Sequence, residues 1–381
     1  MKNTKKKKKK MNPPLYLPHE VIIEILLRLP VKSLISFKCV CKSWFSLISD
    51  PHFANSHFQL ASATQTQTRR IVYLVNHEPR SIDFEDSLDI VNNASVLRNL
   101  TFVRQEHFSD LVIKGSCRGF ILLHCGSHIA LWNPSTGFHK QIPLCSYSFG
   151  AHPDDLCGLG YDKLRDEYLV VLMCCYPRLG DVSSHLEFFS LTDNKWKEIE
   201  GTHFPYRNGS DKPIVGLFYN TAIHWSVVRH DLWMQVIVAF DLMERRLSNI
   251  PFPDDFDRMY VSHDCGLWVF GEFLSLWVID YLKNNGTVEI WVMNEYTVQS
   301  SWTKTLVLPI HFIPSEFFFP LCSTKSGEII GTDDACGLVR YDDKGMWLEY
   351  LFDSDERGGY EMAVYTESLL SLPEPGDGEQ A

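Results

Sequence analysis

The stretch IALWNPSTGFHKQIP, Ile129–Pro143, sets a pattern that the chain repeats: an apolar strand-like run, a polar turn, a Trp or apolar residue, and a Pro exit. Copies follow as FFSLTDNKWKEIEG from Phe188, VAFDLMERRLSNIPFP from Val238, EIWVMNEYTVQSSWTKTLVLP from Glu289 and LVRYDDKGMWLEYLF from Leu338. Aligning Asn133, Leu191, Asp241, Met293 and Tyr341 gives steps of 58, 50, 52 and 48 residues. Each copy reads as two strands around a turn, because β-branched and aromatic residues alternate with Gly, Asn and Asp punctuation. One such sheet cannot bury both faces alone, whereas a closed ring of them can, and it leaves only short edges.

Five units are visible, and Arg70–Leu100, with IVYL and SIDF, supplies a sixth whose end motif is eroded. The period is that of kelch-like blades, about 50 residues. The expected fold is mainly β with a small N-terminal α domain: three helices, then a kelch-like β-propeller of about six blades. An irregular sandwich with hairpins of similar length is the rival. Ala61–Thr68, rich in Ser, Thr and Gln, reads as a linker. The chain then divides into a basic tail over 1–14, a helical unit over 15–60, a linker over 61–68, a β-repeat domain over 69–365 and a C-terminal tail over 366–381.

The net charge of −11 conceals an asymmetry, since Lys2 and Lys5–Lys10 contribute seven positive charges and the remainder carries −18. An acidic body repels nucleic acid and membrane phosphate and favours basic partners. The lysine run reads as a solvated tail ahead of a nuclear address. Eleven cysteines, with no CxxC pair among them, indicate neither a disulfide framework nor a zinc finger. A reducing compartment, cytoplasm and/or nucleus, is expected.

Near the N-terminus stands LPHEVIIEILLRLPVKSLISFKCVCKSW, Leu17–Trp44. Pro18 suits a first helical position, Ile22, Ile25, Leu26 and Leu29 follow helical spacing, and Pro30 stops that helix. Short helices over Val31–Lys38 and Lys42–Ser49 complete a three-helix unit ahead of Asp50-Pro51. This cluster resembles an F-box, with Leu17-Pro18, Leu29-Pro30-Val31, Leu34, Phe37 and the closing VCKSW at Val40–Trp44 in the order of that motif. GSCRGFILL at Gly115–Leu123, LWNPSTG at Leu131–Gly137, GLGYD at Gly158–Asp162 and FFSLTDNKW at Phe188–Trp196 resemble the F-box-associated region of the large plant families, including the S-locus F-box-like proteins.

The resemblance implies a substrate receptor of a Skp–cullin–F-box (SCF) ubiquitin ligase, with the helical unit docked on a Skp-type adaptor and the β domain holding a protein client. It assigns adaptor binding to Leu17, Pro18, Ile22, Leu26, Leu29, Pro30, Val31, Leu34, Phe37 and Trp44. Periodicity alone assigns that stripe to packing among the helices; the resemblance reverses the preference. The S-locus likeness adds basic ribonucleases as one client class, and a non-ligase scaffold is the alternative function.

Enzymatic signals are weak. The Gly158-Leu159-Gly160 run lacks the third glycine of a dinucleotide site. His124, Cys125 and His128 read as strand and turn residues, and Asp254, Asp255 and Asp257 as a solvated turn. No cofactor or metal is expected, nor a nucleic-acid or membrane partner. Trp132, Trp196, Trp291, Trp302 and Trp347 recur with the repeat and read as packing residues. Irregular tryptophans (Trp225, Trp233, Trp268) and two loops of variable length are better candidates for client contact. Those loops are Tyr176–Ser184, with Tyr176 and Arg178, and Phe252–Tyr260, with Phe256 and Tyr260.

Overall fold

In the computed structural model the strand Arg69–Val75 divides its side chains between two neighbouring sheets. Ile71 and Tyr73 join Cys322, Ile330 and Leu338 on one side, and Val72 and Leu74 join Leu111, Ile113 and Ile121 on the other. Successive strand side chains point to opposite faces, so a sheet buried on both faces needs near-continuous apolar runs. RIVYLV, FILLH and YLVVLM are such runs.

The structure describes residues 17–75, 78–85, 97–99, 111–125, 128–144, 155–178, 181–199, 206–207, 215–229, 231–232, 234–254, 265–280, 286–313, 317–333, 337–350 and 362–372. They form two compact units, divided between Gln67 and Thr68.

The larger unit is a six-bladed β-propeller. Blade 2 is Leu111–Cys117, Phe120–Cys125, Ile129–Trp132 and His139–Ile142, paired antiparallel in chain order. Blade 3 (Leu156–Asp162 to Lys195–Glu198), blade 5 (Cys265–Phe270 to Trp302–Pro309) and blade 6 (Phe319–Ser323 to Trp347–Tyr350) repeat that meander. Blade 4 runs from Leu217–Tyr219 to Arg246–Ile250 and carries Tyr206–Arg207 as an added strand. The five repeated motifs are thus the last two strands of blades 2 to 6.

Blade 1 is built differently. Arg69–Val75, Glu78–Asp83 and Leu97–Asn99 come from the start of the domain, but the fourth strand is Met362–Thr366, paired with Arg69–Val75 so that Ile71 faces Val364. The segment after it, expected as a tail from residue 366, is also packed: Leu369, Leu370 and Leu372 are buried.

Two of the recognisable motifs hold this segment. Asn133 of LWNPSTG accepts the Ser135 N–H on Oδ1 and turns Nδ2 toward the Ser368 and Leu370 carbonyls, at 3.2 and 2.9 Å. In GSCRGF, Arg118 and Gly119 form a hairpin turn with both φ positive, and a Cβ on Gly119 would lie 2.2 Å from Ser368 Oγ and 2.8 Å from the Thr366 carbonyl oxygen. Glycine is required there by φ and by the passing chain together.

The Trp and Pro of the repeat also pair across blades. Trp196 Nε1, on the outer strand of blade 3, donates to the Pro143 carbonyl at the exit of blade 2 at 2.8 Å. Trp302 in blade 5 does the same to Pro251 of blade 4, at 2.8 Å. In blade 6 the Pro309 carbonyl instead accepts from Tyr341 Oη at 2.7 Å.

The smaller unit has four helices, not three: α1 (His19–Leu26), α2 (Val31–Phe37), α3 (Lys42–Ile48) and α4 (Pro51–Ala63). Asp50-Pro51, read as a stop, starts α4. Asp50 Oδ1 caps the His52 and Phe53 N–H groups, and Pro51 sits where its missing N–H costs nothing. The helix therefore extends into the expected linker.

Two predictions follow from these contacts. Asn133→Ala strands buried carbonyls on the closing segment and should cost about 3 kcal/mol, read as a lower urea midpoint. The second concerns Asp162, fully buried between blades 3 and 4, where it meets Arg165 at 2.8 Å and Arg245 at 3.1 Å. Burial pushes its pKa up, but hydrogen bonds from the Arg165 side chain and backbone and from the Leu164 N–H, with the Arg245 charge, outweigh it and hold the carboxyl below its ordinary 3.8. A depressed folded pKa stabilises fully above the unfolded value and less as pH falls through the folded one. Asp162→Asn should therefore lower the urea midpoint at neutral pH, and the gap to wild type should close from about pH 5 towards pH 2.

Candidate functional site

Two surfaces carry the functional expectations, one on each unit. In the helical unit, burial separates the ten residues assigned to the adaptor. Leu26, Val31 and Leu34 are 1%, 5% and 0% exposed, so they are core residues of the folded chain. Ile22, Leu29, Phe37 and Trp44 are half-buried, with the Phe37 and Trp44 rings 5.5 Å apart. Leu17 and Pro18 are exposed, as is Pro30 at the N-terminal boundary of α2. The Leu29 carbonyl accepts the Nε2–H of buried His57 at 2.8 Å, which ties α4 to the α1–α2 connection.

The apolar surface left outside is a different set. Leu17, Val21 and Ile25 are 46%, 41% and 47% exposed; Val21 and Ile25 lie four residues apart on α1, and Leu17 stands just ahead of its Pro18 cap. Side chains four apart share a helix face. Helical spacing in the sequence puts Ile25 on the same stripe as Leu26, but at 100° per residue the two fall on either side of the packing boundary. Val40 and Phe45 are also exposed, at 61% and 56%. Phe45 lines an open cavity of about 580 Å³ with Lys38, Cys39, Cys41 and Lys42. The signal that could have found these residues is the second spacing, 17, 21, 25, lying beside the inward one.

On the propeller, the expected client residues separate as well. Trp225 is fully buried, with Nε1 donating to the Cys157 carbonyl at 3.0 Å, and Trp268 is buried against Phe270 with ring centroids 5.2 Å apart. Both are core residues, not recognition residues: their irregular position in the repeat reflects inter-blade packing. Tyr176 and Arg178, expected in a loop, lie in the strand Glu167–Arg178, paired with Ser183 and Asp181. Backbone bonding carries that hairpin past the apolar run that announced it. Trp233, Phe256 and Tyr260 lie outside the described residues, as do Asp255 and Asp257. Phe252 is buried at the edge of the blade 4–5 core.

The tryptophans of the repeat pack as expected, with one exception. Trp132, Trp291 and Trp302 are buried and Trp196 is half-buried, but Trp347 is 38% exposed. Among the described residues no cluster of three or more His, Cys, Asp or Glu could hold a metal ion. Cys125, one of the residues weighed for such a role, is buried, and burial pushes its thiol up to about 12.

Comparison with known proteins agrees with this architecture. The F-box domain matches residues 15–55, and the F-box associated beta propeller domain matches residues 65–341. The chain belongs to the family of F-box proteins carrying an F-box-associated β-propeller. An F-box/kelch-repeat protein of Arabidopsis thaliana is 28% identical over 95% of this chain and 98% of its own length. The F-box protein CPR1 of the same plant is 28% identical over 77% of this chain and 73% of its own. An F-box joined to a propeller is the domain pair of an SCF substrate receptor in general.

The division between inner and outer residues has a direct test. Leu34→Asp places a charge in a fully buried position and should cost the helical unit about 3 kcal/mol or more. Ile25→Asp and Phe45→Asp should each change stability by less than about 0.5 kcal/mol. Amide hydrogen exchange over residues 19–63 of the full chain reads both.

Proposed function

We propose that this protein is the substrate-recognition subunit of an SCF ubiquitin ligase, docking on a Skp-type adaptor through its four-helix unit and holding a protein client with its propeller. The observation that carries the docking half is the exposed apolar set of Val21 and Ile25 on α1 with Leu17 just ahead of it. A four-helix unit already has Leu26, Val31, Leu34, Ile48 and Phe53 in its interior, and a partner is what a further apolar line supplies. Each apolar side chain fully covered contributes about 1.5–3 kcal/mol, so three to five of them sustain association after its entropic costs. Of the ten residues first assigned, those exposed or half-exposed remain candidates for direct contact. Leu26, Val31 and Leu34 act by holding the helices in place.

The chain contributes no bond-making chemistry in this reading. Its part is proximity: a client held on the propeller presents its lysines at a raised effective concentration to a ubiquitin-loaded enzyme carried elsewhere in the complex. The acidic charge of the body favours a basic client, and such binding weakens with added salt.

Adaptor capture tests the reading. The full chain should co-purify with a Skp-type adaptor, and a Leu17→Asp, Ile25→Asp double variant should lose that capture by at least about tenfold while its helices keep their amide protection. Capture unchanged in the double variant would remove the docking role from α1. Client half-life separates a receptor from a scaffold: deletion of residues 17–44 should lengthen it while client binding to the propeller persists, and an unchanged half-life would favour the scaffold.

A further inference from the structure

Between Glu24 and Asp50 the chain carries Arg28, Lys32, Lys38 and Lys42 and no acidic residue, in a protein whose net charge is −11. Arg28 is committed to Glu24, 2.6 Å away. Lys38 and Lys42 pair with no carboxylate among the described residues. They stand at the connection between α2 and α3, where they line the open cavity of about 580 Å³ together with Cys39, Cys41 and Phe45. Burial holds the Lys38 ammonium below its ordinary 10.5, a cost that a neighbouring anion offsets.

The two thiols of this cavity differ from the others in the chain. Among the described cysteines Cys39 and Cys41 are exposed, Cys265 is half-buried, and Cys117, Cys125, Cys157 and Cys322 are buried. Burial pushes the thiols of Cys117, Cys125 and Cys322 up to about 12, where the reactive thiolate is scarce at neutral pH. The backbone presents the exposed pair on a held turn: the Cys39 N–H donates to the Ser36 carbonyl at 3.3 Å, and Cys41 Sγ accepts the Trp44 N–H at 3.5 Å.

Thiols that exchange readily stand in partly exposed, positively charged surroundings, whereas buried structural ones are inert. Two thiols between two unmatched ammonium groups meet that description, and the reagent they suit is anionic. The cavity is of a size that admits a short peptide.

We propose that Cys39 and Cys41 form a reversible modification site, which takes a small anionic thiol of the glutathione class as a mixed disulfide while Lys38 and Lys42 bind its carboxylates. The oxidant is the disulfide of that thiol. One cysteine gives its proton to solvent, and its thiolate attacks a sulfur of the small disulfide. A protein–glutathione S–S bond forms, the original S–S bond breaks, and glutathione leaves as a thiolate that takes up a proton. Charge-assisted hydrogen bonds from the two ammonium groups then hold the adduct. The site needs neither adaptor nor client, so it stands apart from the receptor reading above.

The test is exchange of the reduced full chain with glutathione disulfide, followed by mass mapping of the peptide that carries Cys39 and Cys41. Cystamine, a disulfide with cationic ends, is the comparator, and the readout is the ratio of the two rates. At low ionic strength the wild-type ratio should exceed that of a Lys38→Gln, Lys42→Gln double variant by at least about tenfold, and added salt should narrow the gap. The peptide should gain one glutathionyl group, which excess reduced glutathione removes. Cys117, Cys125 and Cys322 should stay unmodified in both proteins, which shows that the variant is folded. If the double variant exposes them, Lys42→Gln alone, at an exposed position, should lower the ratio by about threefold.

The same rate ratio in wild type and variant, or a ratio that salt leaves unchanged, would overturn the proposal, because the lysines would then play no part in choosing the reagent. Recovery of an internal Cys39–Cys41 disulfide in place of the adduct would overturn it as well, since the second thiol would then expel the ligand that the lysines are assigned to hold.

Discussion

A propeller ring has no buried core at its seam until the two ends of its chain meet, and in this protein they meet within blade 1, where Met362–Thr366 pairs with Arg69–Val75. That pairing covers both faces of blade 1, placing Val72 and Leu74 with Tyr365 against blade 2, and Ile71 and Tyr73 against blade 6. Strands nearly three hundred residues apart in sequence must find each other, a costly loop closure that only the buried area of the completed ring offsets. The structure reinforces it with polar contacts of high specificity: the Asn133 amide on the Ser368 and Leu370 carbonyls, and the cleared space at Gly119.

This accounts for why GSCRGF and LWNPSTG stand out in the sequence. Both sit at the seam of blade 2, where the returning C-terminal segment passes, and both supply what an ordinary hairpin would not: a residue without a Cβ and an amide with donors to spare. A buried amide left unpaired at such a place costs more than it contributes when paired, so the pair of motifs and the closing segment form one unit.

The helical unit shows the same economy of short elements. None of its first three helices is long enough to be stable alone, so packing and capping decide whether they form. Cys41 caps α3, Asp50 caps α4, and His57 binds the Leu29 carbonyl across 28 residues. With Leu26, Val31 and Leu34 committed to the interior, the outward line Leu17, Val21 and Ile25 is not needed for packing. The proposed docking role follows from that surplus.

By itself the sequence determined the two-part division, the mainly β character and the blade repeat, because each rests on local periodicity: 3.6 residues for helices, two for strands, about 50 for blades. The eroded unit at Arg70–Leu100 was legible as a blade because RIVYLV carries apolar residues on both faces. Tertiary structure alone decided what depends on contacts between distant residues. A residue such as Met362 carries no local mark that it will pair with Tyr73, and Ile25 and Leu26, alike in chemistry and adjacent in sequence, part at the packing boundary. Trp225 and Trp347 part from their sequence expectations for the same reason. One indole reaches a carbonyl in the neighbouring blade and is buried, while the other is 38% exposed, with the Pro309 carbonyl at the exit of blade 5 bonded to Tyr341. Aromatic residue type records a capacity for burial and for one hydrogen bond; only the arrangement of neighbouring blades determines which indole uses it.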